Sequence, residues 1–316
     1  MSNHLNTPES IAASRLNRAR GALVGLACGD ALGTTLEFCA RVNNADWHTE
    51  MTGGGFFDVN PGEWTDDTAM ALCLAASLTE RRRFDPVDQL RRYVNWYEDG
   101  YQACQGACID MGGTTSAALH RFMRHGMPFA GSEEPRTSGN GGIMRLAPAV
   151  LAAADEASAV AMAIDSSRTT HASPDCLDAA ELLGRILWRL LDGEPLPAVL
   201  ANMPDFRPRN KSISRIQNGY FRLLERKEVS STGYAISTLE AALWSCYHAD
   251  SFEQALVNAV NLGGDADTVG AVTGQIAGAA FGANSIPTRW LSTLVWRHHL
   301  ELYADKLMGC GVRYVG

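Results

Sequence analysis

Apolar positions recur every three to four residues along most of the chain, the spacing that buries one face of an α-helix. The pattern predicts helices at 22–32, 68–78, 86–97, 114–123, 142–153, 157–165, 174–191, 213–224, 235–247, 252–261, 268–281 and 296–307. The clearest start is Ser173-Pro174-Asp175, a capping serine followed by proline at the first helical position and an early acid. Alternating β-branched runs are almost absent, so strands are at most a minor feature. Polar loops fall at 39–63, 128–140 and 202–212. No tandem repeat or low-complexity tract interrupts this order. The expected architecture is all-α: one domain over residues 19–316, preceded by a flexible polar arm over residues 1–18.

Glycine placement sharpens the picture. Gly21, Gly25, Gly29 and Gly33 are spaced by four, and so are Gly270, Gly274, Gly278 and Gly282. Each glycine inside a helix costs roughly 1 kcal/mol relative to alanine, so a stripe of them implies that another backbone passes close by. Either the two striped helices pack on one another, which would bring Asp30 and Glu37 to the side of Asp265 and Asp267, or each packs on an unrelated helix.

Composition narrows the function classes. Of 316 residues, 46% are hydrophobic and 20% charged, which is ordinary for a globular chain. The net charge of −8 does not favour nucleic-acid binding. No uncharged apolar stretch reaches membrane-spanning length, and the first twenty residues lack an apolar signal core. Eight cysteines occur without a CxxC pair, mostly among alanines and leucines. The expected setting is therefore reducing and cytoplasmic.

Two acidic clusters stand almost 200 residues apart, Thr65-Asp66-Asp67-Thr68 and Gly263-Gly264-Asp265-Ala266-Asp267-Thr268. Each sets two carboxylates and a hydroxyl before a helical run. Oxygen-only clusters suit hard divalent cations such as Mg²⁺ or Mn²⁺. The same residues also serve as ordinary helix caps, where acids favour the macrodipole. If folded together, the four carboxylates repel unless cations or protons neutralise them. Between the clusters lie two glycine-bracketed loops, Asp110-Met111-Gly112-Gly113-Thr114-Thr115 and Ser138-Gly139-Asn140-Gly141-Gly142, each before a helix. Such loops admit phosphate, and they also serve simply as turns. Neither a Walker sequence, a dinucleotide fingerprint nor a nucleophile elbow is present. His171 sits in a short polar loop between two predicted helices.

Together these segments amount to a family resemblance. Gly25-Leu26-Ala27-Cys28-Gly29-Asp30-Ala31-Leu32-Gly33, with Glu37-Phe38, resembles the opening motif of the ADP-ribosylglycohydrolases. Thr65-Asp66-Asp67-Thr68, Gly139-Asn140-Gly141-Gly142-Ile143-Met144-Arg145, Thr170-His171 and Gly263-Gly264-Asp265-Ala266-Asp267-Thr268 follow in the family's order. Within the family, Asp110-x-Gly112-x-Thr114-Thr115 and Gly233-Tyr234 are similar to the bacterial dinitrogenase reductase-activating branch.

The resemblance implies an orthogonal helical bundle around a binuclear Mg²⁺ or Mn²⁺ cleft. It implies Thr65, Asp66, Asp67, Asp265, Asp267 and Thr268 as metal ligands, and Asp66, Asp67 and Glu37 as the catalytic acids. Asp110, Gly112, Gly113, Thr114, Asn140, Gly141, Gly142, Met144, His171 and Tyr234 are its substrate-binding set. The implied reaction is hydrolysis of the N-glycosidic bond between ADP-ribose and arginine on a modified protein, reversing a regulatory or toxin-inflicted modification. The rival readings are a binder of ADP-ribose or of an ADP-ribosyltransferase toxin that lacks turnover, and a hydrolase of another ADP-ribose linkage. In the toxin case the polar arm over residues 2–20 would reach the partner.

Overall fold

The computed structural model of the chain describes residues 8–315. In chain order its α-helices are α1 (Pro8–Gly33), α2 (Asp66–Arg81), α3 (Pro86–Asp99), α4 (Gly113–His125), α5 (Ala147–Leu151), α6 (Glu156–Arg168) and α7 (Pro174–Leu191). They continue as α8 (Leu196–Ala201), α9 (Ser214–Gln217), α10 (Ala235–Tyr247), α11 (Phe252–Val260), α12 (Ala266–Phe281), α13 (Thr288–Thr293) and α14 (Arg297–Met308). Among the described residues, extended pairing is limited to isolated bridges such as Gly139 with Tyr234 and Gly54 with Val59.

The two glycine stripes meet. α1 and α12 run antiparallel with Gly21 against Gly278, Gly25 against Gly274, Gly29 against Gly270 and Gly33 against Ala266. A methyl group at any of these glycines would overlap the opposing carbonyl. The seam therefore depends on bare backbone, and its close contact offsets the conformational cost of the glycines. α11, α10 and α7 pack around α12, while α14 and α2 flank α1. Leu23, Leu26, Ala27, Val269, Val272 and Ile276 are fully buried around the seam.

Among the described residues, four α-helices carry their own side-chain caps. Asp85 accepts from the Asp88 amide, Asp155 from Ser158, Ser173 from Cys176 and Ser251 from Gln254. At α2 and α12 neither Thr65 nor Asp265 makes a side-chain cap. Their free N–H groups are satisfied from elsewhere, which leaves the acids at these two starts available for other work.

Four expectations shift. The arm expected over residues 1–18 is helical from residue 8 onward, because Ala-rich sequence continues α1 outward and Arg15 bonds Asp192 and stacks on Trp188; residues 1–7 lie outside the described residues. The helix expected at 142–153 begins only at Ala147, since residues 141–145 form a buried turn around the Arg145 side chain. The helix expected at 213–224 is broken at Gly219, whose left-handed φ of +71° starts a separate short turn. Two six-residue helices, α8 and α13, fall in stretches to which the pattern assigned no element, being too short to establish a period.

Candidate active site

The antiparallel seam ends at an acidic floor. Gly33 at the end of α1 faces Ala266 at the start of α12, so the segment that follows α1 delivers Glu37 to the α12 start. Glu37 accepts a hydrogen bond from the Ala266 amide at 2.7 Å, acting as a cap supplied from 229 residues away. One turn earlier on α1, Asp30 does the same for α2. Its Oδ1 accepts from the Thr65 amide and hydroxyl, both at 2.9 Å. Its Oδ2 accepts from the Thr68 amide at 3.0 Å and the Thr68 hydroxyl at 2.6 Å. Asp30 is fully buried and its four acceptor positions are used.

The two acidic clusters converge. Carboxylate oxygens of Asp30, Asp67 and Asp267 lie within 4.8 Å of one another, and so do those of Glu37, Asp265 and Asp267. Asp267 belongs to both groups and stands between them. The Thr65 hydroxyl is 3.4 Å from both Asp67 Oδ2 and Asp267 Oδ2. Thr268 holds Asp267 Oδ1 through its amide at 2.8 Å. Asn140 donates to Asp265 Oδ2 at 2.9 Å and to the Thr238 hydroxyl at 2.9 Å, which fixes its amide orientation.

Burial makes these acids reluctant to ionise. Desolvation, reinforced by Asp110, Asp30 and Asp265, lifts Asp66 well above the usual carboxylate range. Desolvation lifts Asp67 and Asp267 in the same way, with the neighbouring carboxylates adding to it. Glu37 rises to about 7 and Asp30 to about 6, again mainly through burial. Asp265 and Asp110 shift upward for the same reason. A divalent cation relieves this repulsion. Asp67 Oδ1 fits that need: it is buried without a hydrogen-bond partner, an open acceptor aimed into a set of oxygen donors. The residues present therefore suit a hard divalent cation.

Above the floor lies a cleft of about 280 Å³, lined among others by Glu37, Phe38, Asp66, Asp110, Asn140 and His171. Gly112, Gly113, Thr114, Gly141, Met144, Asp265 and Thr268 also line it. Thr65, Asp67 and Asp267 are buried beneath this surface. Gly142 faces away, since a methyl group there would meet the Ser167 hydroxyl. Tyr234 stands beside the cleft, and its hydroxyl donates to Asp175 at 2.5 Å. Burial and that bond push its phenol up to about 12. A larger hollow of about 860 Å³, bordered by Tyr101, Gln102, Trp296 and His299, shares no lining residue with the acidic cleft.

Arg145 is the functional residue that sequence reading left without a role. It is fully buried, stacks over Tyr93 at 4.7 Å and donates to the Gly141 carbonyl, tying the glycine loop to the core. It also donates to the Thr170 hydroxyl at 2.6 Å, and that hydroxyl lies 2.8 Å from His171 Nδ1. The Thr170 hydroxyl therefore links the Arg145 guanidinium to the His171 ring. His171 turns its other nitrogen, Nε2, toward Gly139 and Gly141. Burial and the nearby Arg145 charge drive its pKa down to about 3, in keeping with a neutral ring. The signal in the sequence was the Met144-Arg145 pair closing the loop motif, but its partners lie 25 and 52 residues away.

Comparison with known proteins fixes the family. The ADP-ribosylglycohydrolase model matches residues 12–314. The chain belongs to the ADP-ribosylglycohydrolase family. It is 41% identical over 310 residues to the ADP-ribosylarginine hydrolase Tri1 of Serratia proteamaculans, covering 96% of this chain and 82% of that protein. It is 34% identical over 290 residues to the ADP-ribosyl-[dinitrogen reductase] glycohydrolase of Rhodospirillum rubrum, covering 90% and 93%. A solved structure titled ADP-ribosylglycohydrolase-related protein complex superposes with a TM-score of 0.82 at 40% identity, covering 95% of this chain and 99% of that one. The all-α fold thus matches its family.

Proposed function

We propose that this chain hydrolyses the N-glycosidic bond between ADP-ribose and arginine on modified proteins. The carrying observation is the convergence of Asp66, Asp67, Asp265 and Asp267 from two distant helix starts onto the floor of one cleft. The names of the Serratia proteamaculans and Rhodospirillum rubrum relatives support the substrate class.

Thr65, Asp66, Asp67, Asp265, Asp267 and Thr268 are the residues that would hold two Mg²⁺ or Mn²⁺ ions; Asp267 is common to the group of Asp30, Asp67 and Asp267 and to that of Glu37, Asp265 and Asp267, and Asp66 adjoins them from the cleft wall. When bound, such ions polarise sugar hydroxyls and lower the pKa of a coordinated water. The chain's own residues do the rest. Asp66 and Glu37 line the cleft with carboxyls suited to accept or hold a proton near neutral pH. The amides opening α4, where Gly112 makes no side-chain cap, are donors for ribose and diphosphate oxygens, and the neutral His171 ring lines the same cleft. Asn140, locked by Thr238 and Asp265, and Asp110 complete the polar lining. Gly113, Thr114, Gly141 and Met144 shape the wall, while Gly142 and Tyr234 support it from behind and beside.

The substrate side is a modified protein, and reversal of a regulatory modification or of one inflicted by an ADP-ribosyltransferase toxin uses the same chemistry. Eight unpaired cysteines support a reducing, cytoplasmic setting.

The test is incubation with a protein ADP-ribosylated on arginine, with and without EDTA. Release of ADP-ribose that EDTA stops and added Mg²⁺ or Mn²⁺ restores is the expected result. No release with metal present, or release only from ADP-ribosyl-serine, overturns the reading.

A further inference from the structure

A cluster of three phenylalanines, two of them exposed, stands at the lip of the cleft. Phe38 follows Glu37 in the chain and lines the cleft, yet it is 61% exposed. Its φ of +59° lies in the left-handed region, a costly conformation for a bulky side chain. The Phe38 amide donates to the Gly264 carbonyl at 2.7 Å, which holds it there. Phe56, 70% exposed, sits edge-on to Phe38 with centroids 5.0 Å apart, and Phe57 joins both at 5.1 Å and 6.2 Å.

Phe56 and Phe57 occupy the tip of a tight turn closed by paired hydrogen bonds between Gly54 and Val59, at 2.7 Å and 3.2 Å. Turn tips ordinarily carry Gly, Asn, Asp, Pro or Ser. Here three successive glycines, Gly53, Gly54 and Gly55, take φ values of +68°, +75° and +71° and present Phe56 to solvent with the half-buried Phe57 beside it. The turn is pinned beside the Glu37 segment: Thr35 Oγ1 donates to the Gly53 carbonyl at 3.1 Å, and Gly55 lies against Thr34 and Thr35. A contiguous exposed aromatic patch on so constrained a scaffold marks a contact surface.

The chemistry of the rim says what it contacts. Polar groups suited to diphosphate gather around His171, whose ring lies against Gly139 and Gly141, with the Thr114 and Thr115 hydroxyls beside those glycines. The phenylalanines offer no donor, and their π faces repel anions while attracting guanidinium and apolar groups. Resting on the function proposed above, we infer that Phe38, Phe56 and Phe57 form the platform on which the polypeptide carrying the ADP-ribosylated arginine docks. The ADP-ribose enters the polar cleft, and the protein around the arginine lies on the aromatic lip.

The experiment compares Phe56→Ala, Phe57→Ala and Phe56→Trp with the wild type on two substrates, an arginine-ADP-ribosylated protein and free ADP-ribosyl-arginine, in excess Mg²⁺. Both alanine variants should lose about tenfold in kcat/KM on the protein, mainly through KM, as expected for an aromatic contact anchor. They should keep wild-type kinetics on free ADP-ribosyl-arginine and an unchanged melting temperature, and Phe56→Trp should retain activity on the protein. Equal losses on both substrates would assign the lip to the ADP-ribose moiety and overturn the inference. Unchanged turnover of both would overturn it too. A wild-type enzyme inactive on both substrates would instead remove the function on which the inference rests, and the inference with it.

Discussion

Two helix starts in this molecule look alike in sequence and are held in place by different means. At the start of α2, the support is Asp30, fully buried, with both oxygens saturated by the amides and hydroxyls of Thr65 and Thr68. At the start of α12, the support is Glu37, which gives one oxygen to the Ala266 amide and still lines the open cleft. By these hydrogen bonds the protein engages both oxygens of the first acid and only one of the second. An Asp or Glu that caps a helix from a distant segment can therefore be a fastening or a reagent, and the difference lies in how many of its lone pairs the protein itself uses. In both cases the borrowed cap frees the helix's own acids, Asp66 and Asp67 or Asp265 and Asp267, to face a common centre.

That contrast yields a graded set of outcomes. The largest effect belongs to the shared floor. Asp67→Asn should lower kcat by about 10³-fold or more, in the range of losing a group that stabilises transition-state charge. It should also raise the melting temperature measured in EDTA, because one repelling buried carboxylate is gone. A thermal melt with and without Mg²⁺, beside the activity assay, checks both.

The next pair separates reagent from fastening. Glu37→Gln keeps an acceptor for the Ala266 amide and should cost about 10²-fold in kcat, typical of removing a general acid or base, with little change in stability. Asp30→Ala should do the reverse. It strands the Thr65 and Thr68 amides and should destabilise the fold by roughly 2–4 kcal/mol, the scale of a lost cap plus an unsatisfied buried donor. Urea denaturation in EDTA measures it. A stable, inactive Asp30→Ala variant would erase the distinction.

Gly29→Ala, on the seam that aligns the two starts, drives a methyl into the Gly270 carbonyl. It should cost roughly 1–3 kcal/mol by overpacking. The same denaturation curve reports it.

The smallest effect is a pH dependence. Asp30 and Glu37 have pKa values raised to about 6 and about 7 in the cation-free fold. The unfolded values lie near 4. A raised folded pKa means that their contribution is intact below about pH 4 and is lost as pH climbs through 6 and 7. The cation-free protein should therefore lose melting temperature from pH 5 to pH 8, and the gain produced by excess Mg²⁺ should widen over the same range. A constant Mg²⁺ gain across that range would contradict the assignment of repulsion to this cluster.

Much of this was legible in the sequence, and what was not has physical reasons. Helix period and cap residues located most long helices, and the spacing of Gly21 to Gly33 and Gly270 to Gly282 announced a backbone-to-backbone seam. Of the two packings that spacing left open, the fold adopts the one that brings Asp30 and Glu37 near Asp265 and Asp267. What the pattern could not show was division of labour. Asp30 and Glu37 are both acids near the end of α1, and only their long-range partners tell a saturated cap from an open carboxyl. Arg145 was hidden for a similar reason, since a helical apolar rhythm at 142–153 gives no hint that a guanidinium turns inward onto Tyr93 and Thr170. The helical run before residue 19 was read as an arm because its polar residues obscure the period, although Arg15 and Asn17 bond distant segments.

Equilibrium Mn²⁺ binding followed by electron paramagnetic resonance, on wild type and on Asp267→Asn, tests most directly whether one carboxylate knits both acid groups into a single cation site. Two bound Mn²⁺ per wild-type chain with a spin-coupled signal, and loss of that coupled pair in Asp267→Asn, is the predicted result. Wild-type protein that binds no Mn²⁺, or an Asp267→Asn variant that binds it unchanged, would contradict the account.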